Sequence, residues 1–228
     1  MPAFLRLCEG STYNAGVRID PAGWPFVLGG GVVAAAGVGV AGLPGAVPGA
    51  ILAAFCVFFF RDPHRTVPEV SPRTVLSPAD GRVMFAGELV GEDPPAGTWQ
   101  QVCIFLSPMN VHINRIPWGG LVRRVRYHPG RFLPAYTREA GDLNEYAEVW
   151  VERDGHTLVF RQIVGLLARR VVCRVREGDQ VTTGQRFGVM KFGSRMDIYV
   201  PAGTTLLVKP GDIVTAGITP IATLGDAA

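Results

Sequence analysis

Forty consecutive positions, Pro21 to Phe60, carry no charged side chain. A membrane-crossing helix needs about 20 apolar residues, so this run is too long for one helix and nearly long enough for two. Pro44, Gly45, Pro48 and Gly49 fall near its middle, where they break a helix by removing a backbone donor and by adding chain freedom. The pattern predicts a helical hairpin with one arm of about 20 residues and a second of about 12, short enough that a re-entrant insertion and two full spans are both open. Arg18 precedes the run and Arg61 and Arg65 follow it, which places both ends on the positive, cytoplasmic side. A cleaved signal peptide fits poorly, because Glu9 and Asp20 come first and the run far exceeds an h-region. A buried core helix would rarely be so long, so glycine-rich and so free of charge.

Beyond Arg61 the period changes. Short runs such as VLSPADGRVMFAGEL, QVCIFLSP, VHINRIPWGG and LVRRVRYHPG alternate apolar with polar residues and are punctuated by Pro and Gly, the signature of half-buried strands. Residues 148–163 read as a hairpin around Asp154-Gly155. Only Arg138 to Tyr146 and Val164 to Arg170 have helical character. The expected fold is mainly β, a barrel-sandwich-like soluble domain (61–228) behind a membrane-anchoring segment (1–60).

Composition agrees once it is divided this way. The 228 residues are 48% hydrophobic and 18% charged, with mean hydropathy +0.24. The apolar run supplies the excess, and the remainder has the charge density of an ordinary soluble domain. Cys8, Cys56, Cys103 and Cys173 form no CxxC pair and no zinc-ligand spacing, so reduced thiols are expected and no metal. A net charge of +3 gives no reason to expect nucleic acid.

An internal repeat refines the fold. Residues 175–185 (VREGDQVTTGQ) match 208–218 (VKPGDIVTAGI) at six of eleven positions. Each copy reads as strand, Gly-Asp turn and strand, so two similar β-corners are expected to pack together. Biotinyl and lipoyl carrier domains show this quasi-symmetry, and Met190-Lys191 between the copies would suit a carrier's acceptor lysine. A transport-complex adaptor could use the same barrel. Gly193-Ser194 follows, however, and permits other chemistry. A serine hydroxyl can attack the preceding glycine carbonyl, which no Cβ shields. Elimination from the resulting ester leaves dehydroalanine, and hydrolysis of that gives a pyruvoyl group and ammonia.

The stretches GWPF, FFFRDPHRTVP, LSPADGRV, FLSPMNVHINRIPWGG, YHPGRFLPA, Asn144-Glu145, GLLARR and KFGSRMDIYVP occur in the order found in phosphatidylserine decarboxylase proenzymes. The chain resembles the short bacterial and archaeal type of that family over nearly its whole length. The resemblance implies cleavage between Gly193 and Ser194 into a large subunit (1–193) and a small one (194–228), with Ser194 becoming the pyruvoyl cofactor. It implies decarboxylation of phosphatidylserine to phosphatidylethanolamine through a Schiff base, at the cytoplasmic face of the cell membrane. A membrane phospholipid is then the substrate, and a homodimer would be ordinary for the fold.

Asp80, in SPADGRV, matches the family aspartate that assists self-cleavage, although Asp-Gly after Pro also suits a plain β-turn. His112, in NVHINR, is the candidate for proton transfer; a hydrogen-bonded core histidine is the alternative. In the long bacterial form a second histidine lies three residues later, but Arg115 stands there, and arginine is no base near neutral pH. His112 or His128 must therefore serve, or strain must activate the bond. Arg115, Arg123, Arg124, Arg126 and Arg131 fall in a stretch free of acidic residues. They form a solvated basic face or a clamp on anionic lipid, and Arg115, Lys191 and His128 are the substrate-binding candidates. Arg169, Arg170, Arg174 and Arg176 raise the same question.

Overall fold

The computed structural model describes residues 18–89, 98–137, 139–166, 171–191 and 194–226. The charge-free run folds as two antiparallel helices, α1 (Trp24–Ala41) and α2 (Val47–Phe59), joined by a short 3-10 turn at Leu43–Ala46. Its feet are clasped, because β1 (Arg18–Ile19) pairs antiparallel with β2 (Arg61–Asp62) and the Asp20 N–H donates to the Phe60 carbonyl at 2.9 Å. Glycines allow the arms to touch. A Cβ on Gly49 would lie 2.1 Å from the backbone nitrogen of Ala34, and one on Gly30 would lie 2.7 Å from that of Ala53, the close backbone approach that small residues permit between apolar helices. The outward faces are bare, with Val40 89% and Leu28 64% exposed. Such an apolar surface requires a nonaqueous neighbour. Pro21–Ala41 is long and apolar enough to cross a membrane, whereas Leu43–Phe59 is shorter.

The remainder is β. In chain order its elements are β3 (Thr74–Leu76), β4 (Gly81–Glu88), β5 (Trp99–Leu106), β6 (Ile113–Arg115), β7 (Gly120–His128), α3 (Ala140–Leu143), β8 (Tyr146–Arg153), β9 (His156–Val164), β10 (Val171–Cys173), β11 (Gln180–Val181), β12 (Arg186–Met190), β13 (Ser194–Pro201), β14 (Thr205–Leu206), β15 (Ile213–Val214) and β16 (Pro220–Thr223). A curled eight-stranded sheet runs in the order β11-β7-β8-β9-β13-β5-β4-β15, flanked by three-stranded sheets β10-β12-β6 and β14-β16-β3. Its inner face supplies the main core, including Ile104, Val149, Phe160, Met196 and Ile198. The β8–β9 hairpin turns at Asp154 (φ 51°) and Gly155 (φ 77°), the pair of left-handed residues that an Asp-Gly turn provides.

Both repeat copies make the same corner. The Asp179 carboxylate accepts from the Arg176 N–H at 2.7 Å, and that of Asp212 accepts from the Lys209 N–H at 2.9 Å. Gly178 and Gly211, at φ 89° and 100°, donate to the carbonyls of Val122 and Val83, whose own N–H groups return to the carbonyls of Asp179 and Asp212. The equivalence thus extends into β7 and β4. The helix expected over 138–146 shrinks to the single turn of α3, and Tyr146 already belongs to β8. Asn144 is the cause: its side chain bonds the Leu133 N–H and carbonyl and the Val164 carbonyl, an alternative to helix that asparagine offers the backbone. Of the second expected helix, Val164 ends β9, and residues 167–170 lie outside the described residues.

Candidate active site

Ser194 opens β13 in the middle of the large sheet, flanked by Leu106 of β5 and Val164 of β9. Successive strand side chains face opposite ways, so Ser194 shares the inner face with Met196 and Ile198, both core residues. It is 0% exposed, and its Oγ has no hydrogen-bond partner among the described residues. Gly193, the other half of the expected scissile pair, lies outside them.

A short connection brings His112 to the same end of the barrel. Leu106, the register partner of Ser194, leads into a turn at Ser107–Asn110, whose Asn110 Oδ1 accepts from the Ser107 N–H and hydroxyl at 2.9 Å each. On the far side of the turn, the His112 carbonyl accepts from the N–H of Met190, at the end of the strand that leads towards Ser194. His112 Nδ1 lies 3.0 Å from the Asn110 carbonyl. A carbonyl can only accept, so Nδ1 carries the proton and Nε2 keeps its lone pair. Nε2 is buried with no partner among the described residues. The hairpin seals this ring, because Phe59 packs on it with centroids 4.1 Å apart.

Burial, with a smaller contribution from Arg61, lowers the His112 pKa to about 4, against the Asn110 carbonyl and Asp80, which favour the proton. The unfolded chain binds that proton near pH 6.5 and the folded chain only near pH 4, so stability is full above 6.5 and declines as pH falls towards 4. The loss across that window is about 3 kcal/mol. We expect His112→Gln, which cannot titrate, to lose correspondingly less stability than the wild type in denaturant midpoints measured between pH 7 and pH 4. Equal losses in both proteins would contradict this.

The other candidates are dispersed. Asp80 is held by Arg65 through two bonds of 2.6 and 2.7 Å and also accepts from the Ala216 N–H at 2.8 Å. Arg115 is buried and spends its guanidinium on the carbonyls of Gly184 and Pro63, with Asp62 at 3.6 Å. Lys191 lies over the Phe26 ring at the foot of the hairpin, 5.1 Å from its centroid. His128 stacks on Tyr146 at 4.8 Å, on β7, three strands away from β13. The expected basic face is partly paired, since Arg123 bonds Glu152 at 2.6 Å. Arg169 and Arg170 lie outside the described residues, and Arg174 is bound to Asp20 at 2.6 Å.

The sequence model of phosphatidylserine decarboxylase matches residues 52–222. The chain belongs to that family. Relatives named phosphatidylserine decarboxylase proenzyme include one from Ehrlichia chaffeensis, 42% identical over 78% of this chain and 79% of the relative. Another, from Chlorobium phaeobacteroides, is 46% identical over 75% and 79%; a third, from Rickettsia felis, is 44% identical over 78% of each. Membership in the phosphatidylserine decarboxylase family leaves the carrier and adaptor readings without support.

Three polar residues at this end of the decarboxylase barrel escaped the sequence reading as functional groups. Asn114, on β6 two residues beyond His112, accepts at Oδ1 from Gln162 Nε2 of β9 at 2.8 Å. Asn114 Nδ2, Gln162 Oε1 and Glu145 Oε1 are all buried without a partner among the described residues. Asn114 was visible only as part of a family motif, and Gln162 only as a polar residue in an apolar strand. On the outer face of β13, Arg195 binds Asp197 through Nε and Nη2 at 2.6 and 2.7 Å and reaches the Thr137 carbonyl at 3.2 Å.

Proposed function

We infer that this chain decarboxylates phosphatidylserine to phosphatidylethanolamine with a pyruvoyl group that it makes from Ser194. The Oγ of Ser194, buried and without a partner among the described residues, lies at the barrel end that also holds His112 Nε2, likewise without one among them, and carries the reading. The residues present suit such a group, since a buried hydroxyl with no competing hydrogen bond among the described residues is available to attack the adjacent carbonyl.

In the first step Ser194 Oγ bonds to the Gly193 carbonyl carbon while His112 Nε2 takes the hydroxyl proton. The Gly193–Ser194 C–N bond breaks and the nitrogen gains a proton, leaving an ester. Loss of the Ser194 Cα proton then expels the Gly193 carboxylate and leaves dehydroalanine, from which water displaces ammonia. Asp80, although paired with Arg65, acts weakly in favour of protonated His112, whereas the Asn110 carbonyl contributes more to holding the cation formed when His112 accepts the proton. The finished pyruvoyl carbonyl supplies an electron sink for the bond to the departing CO2.

The foot of the hairpin supports the membrane part of this proposal. Phe59 touches His112, and Lys191 lies over Phe26, so the reacting end of the barrel adjoins the apolar helices. With the hairpin immersed from the cytoplasmic side, Lys191 is positioned for the lipid phosphodiester. Arg115 and His128 have weaker claims to substrate, the first being spent on backbone carbonyls and the second lying strands away.

Intact mass of the purified protein tests the reading. The expected small chain begins at residue 194, resists stepwise N-terminal degradation, and is lighter than the Ser194–Ala228 peptide by one ammonia. An active preparation containing only the full-length chain would overturn it.

A further inference from the structure

Asn114 and Gln162 form a bridge between β6 and β9 inside the barrel, and both are 0% exposed. Gln162 is the register partner of Met196, two residues along β13 from Ser194, so its side chain shares the inner face with the Ser194 hydroxyl. The bridge uses one nitrogen and one oxygen and leaves the other two atoms buried without partners among the described residues. Turning both amides over exchanges the roles of the two residues and still leaves one nitrogen and one oxygen unspent. Gly188 of β12 lies against the pair: a Cβ there would meet the Val172 carbonyl first and would also lie 2.6 Å from Gln162 Nε2. Each orphaned polar atom costs about 1–3 kcal/mol, and such a cost calls for a partner supplied from outside.

We propose that the Asn114–Gln162 pair recognises the α-carboxylate of the serine head group, its unspent amide N–H donating to the group that will leave as CO2. This rests on Ser194 as the reacting centre. A neutral donor suits the task, because an arginine would stabilise the carboxylate charge that the reaction must destroy, lowering KM at the expense of kcat. An amide holds the carboxylate in place while stabilising its charge less. The residue nearer the carboxylate binds it directly, and the other positions that residue through the 2.8 Å bond.

Asn114→Asp and Gln162→Glu each remove an amide nitrogen with little change of shape, and both can be assayed in mixed micelles. Intact mass should show cleavage as in the wild type. The KM for phosphatidylserine should rise by about tenfold or more, the worth of a hydrogen bond to a charged group, with a smaller change in kcat. Inhibition by phosphatidylethanolamine, which has the amine but lacks the carboxylate, should be unchanged. Where the new carboxylate prevents folding, Asn114→Leu serves for the same comparison. An unchanged KM in cleaved variants, an equal weakening for both lipids, or folded variants that all remain uncut would each overturn the proposal. Failure of the underlying reading has a different signature: an active wild-type protein that is never cut.

Discussion

Ser194→Ala is expected to give one uncut 228-residue chain with decarboxylation at the uncatalysed level. The substitution removes the only oxygen able to attack Gly193 from the following residue, and with it the source of the carbonyl. Stability should be retained, because Oγ is buried without a partner among the described residues. Removing such a group recovers its desolvation cost, about 1 kcal/mol or somewhat more. Electrophoresis under denaturing conditions, a phosphatidylserine assay and a denaturant melt together separate this outcome from misfolding. A stable, uncut variant that still released CO2 would refute the assignment of Ser194.

A comparable loss, but of stability, should follow from Asp197→Ala. Asp197 is 0% exposed and holds Arg195 by two short bonds. Gln101 Nε2 donates to the same carboxylate at 3.0 Å. Deleting one partner of a buried ion pair strands the other charge, which costs about 3–5 kcal/mol. Arg195 cannot relieve the strain by losing its proton, because a guanidinium stays charged at any pH the protein meets. The denaturant midpoint should fall accordingly, and cleavage should slow because Arg195 adjoins Ser194. Replacing both residues with apolar side chains of similar volume should restore much of the stability. A single variant losing less than about 1 kcal/mol would show that the pair behaves as an exposed one.

The hairpin, the β8–β9 turn and the paired corners were legible because each depends on short-range pattern: a charge-free run, an Asp-Gly pair and a repeated Gly-Asp turn. Gly193-Ser194 was legible as chemistry. The environment of Asp80 was not, because the arginine that grips it, Arg65, is fifteen residues away in sequence and no local pattern joins the two. The strand SRMDIYVP alternates charged with apolar residues, which suggests a solvated outer face, yet Arg195 and Asp197 are buried there. Pairing each with the other makes that burial tolerable, and no local pattern announces it. Asn114 and Gln162 meet across 48 positions of sequence, a distance over which single-sequence periodicity is silent.

Phe59 ends α2 and lies against His112, so the barrel end that holds His112 stands at a fixed height above whatever layer holds the helices. With the hairpin immersed in lipid, a substrate molecule need lift only its polar head, and its acyl chains can stay among their neighbours. Turnover then follows encounters in two dimensions: dilution of phosphatidylserine within the surface would slow the enzyme, whereas dilution of vesicles in the surrounding water would not.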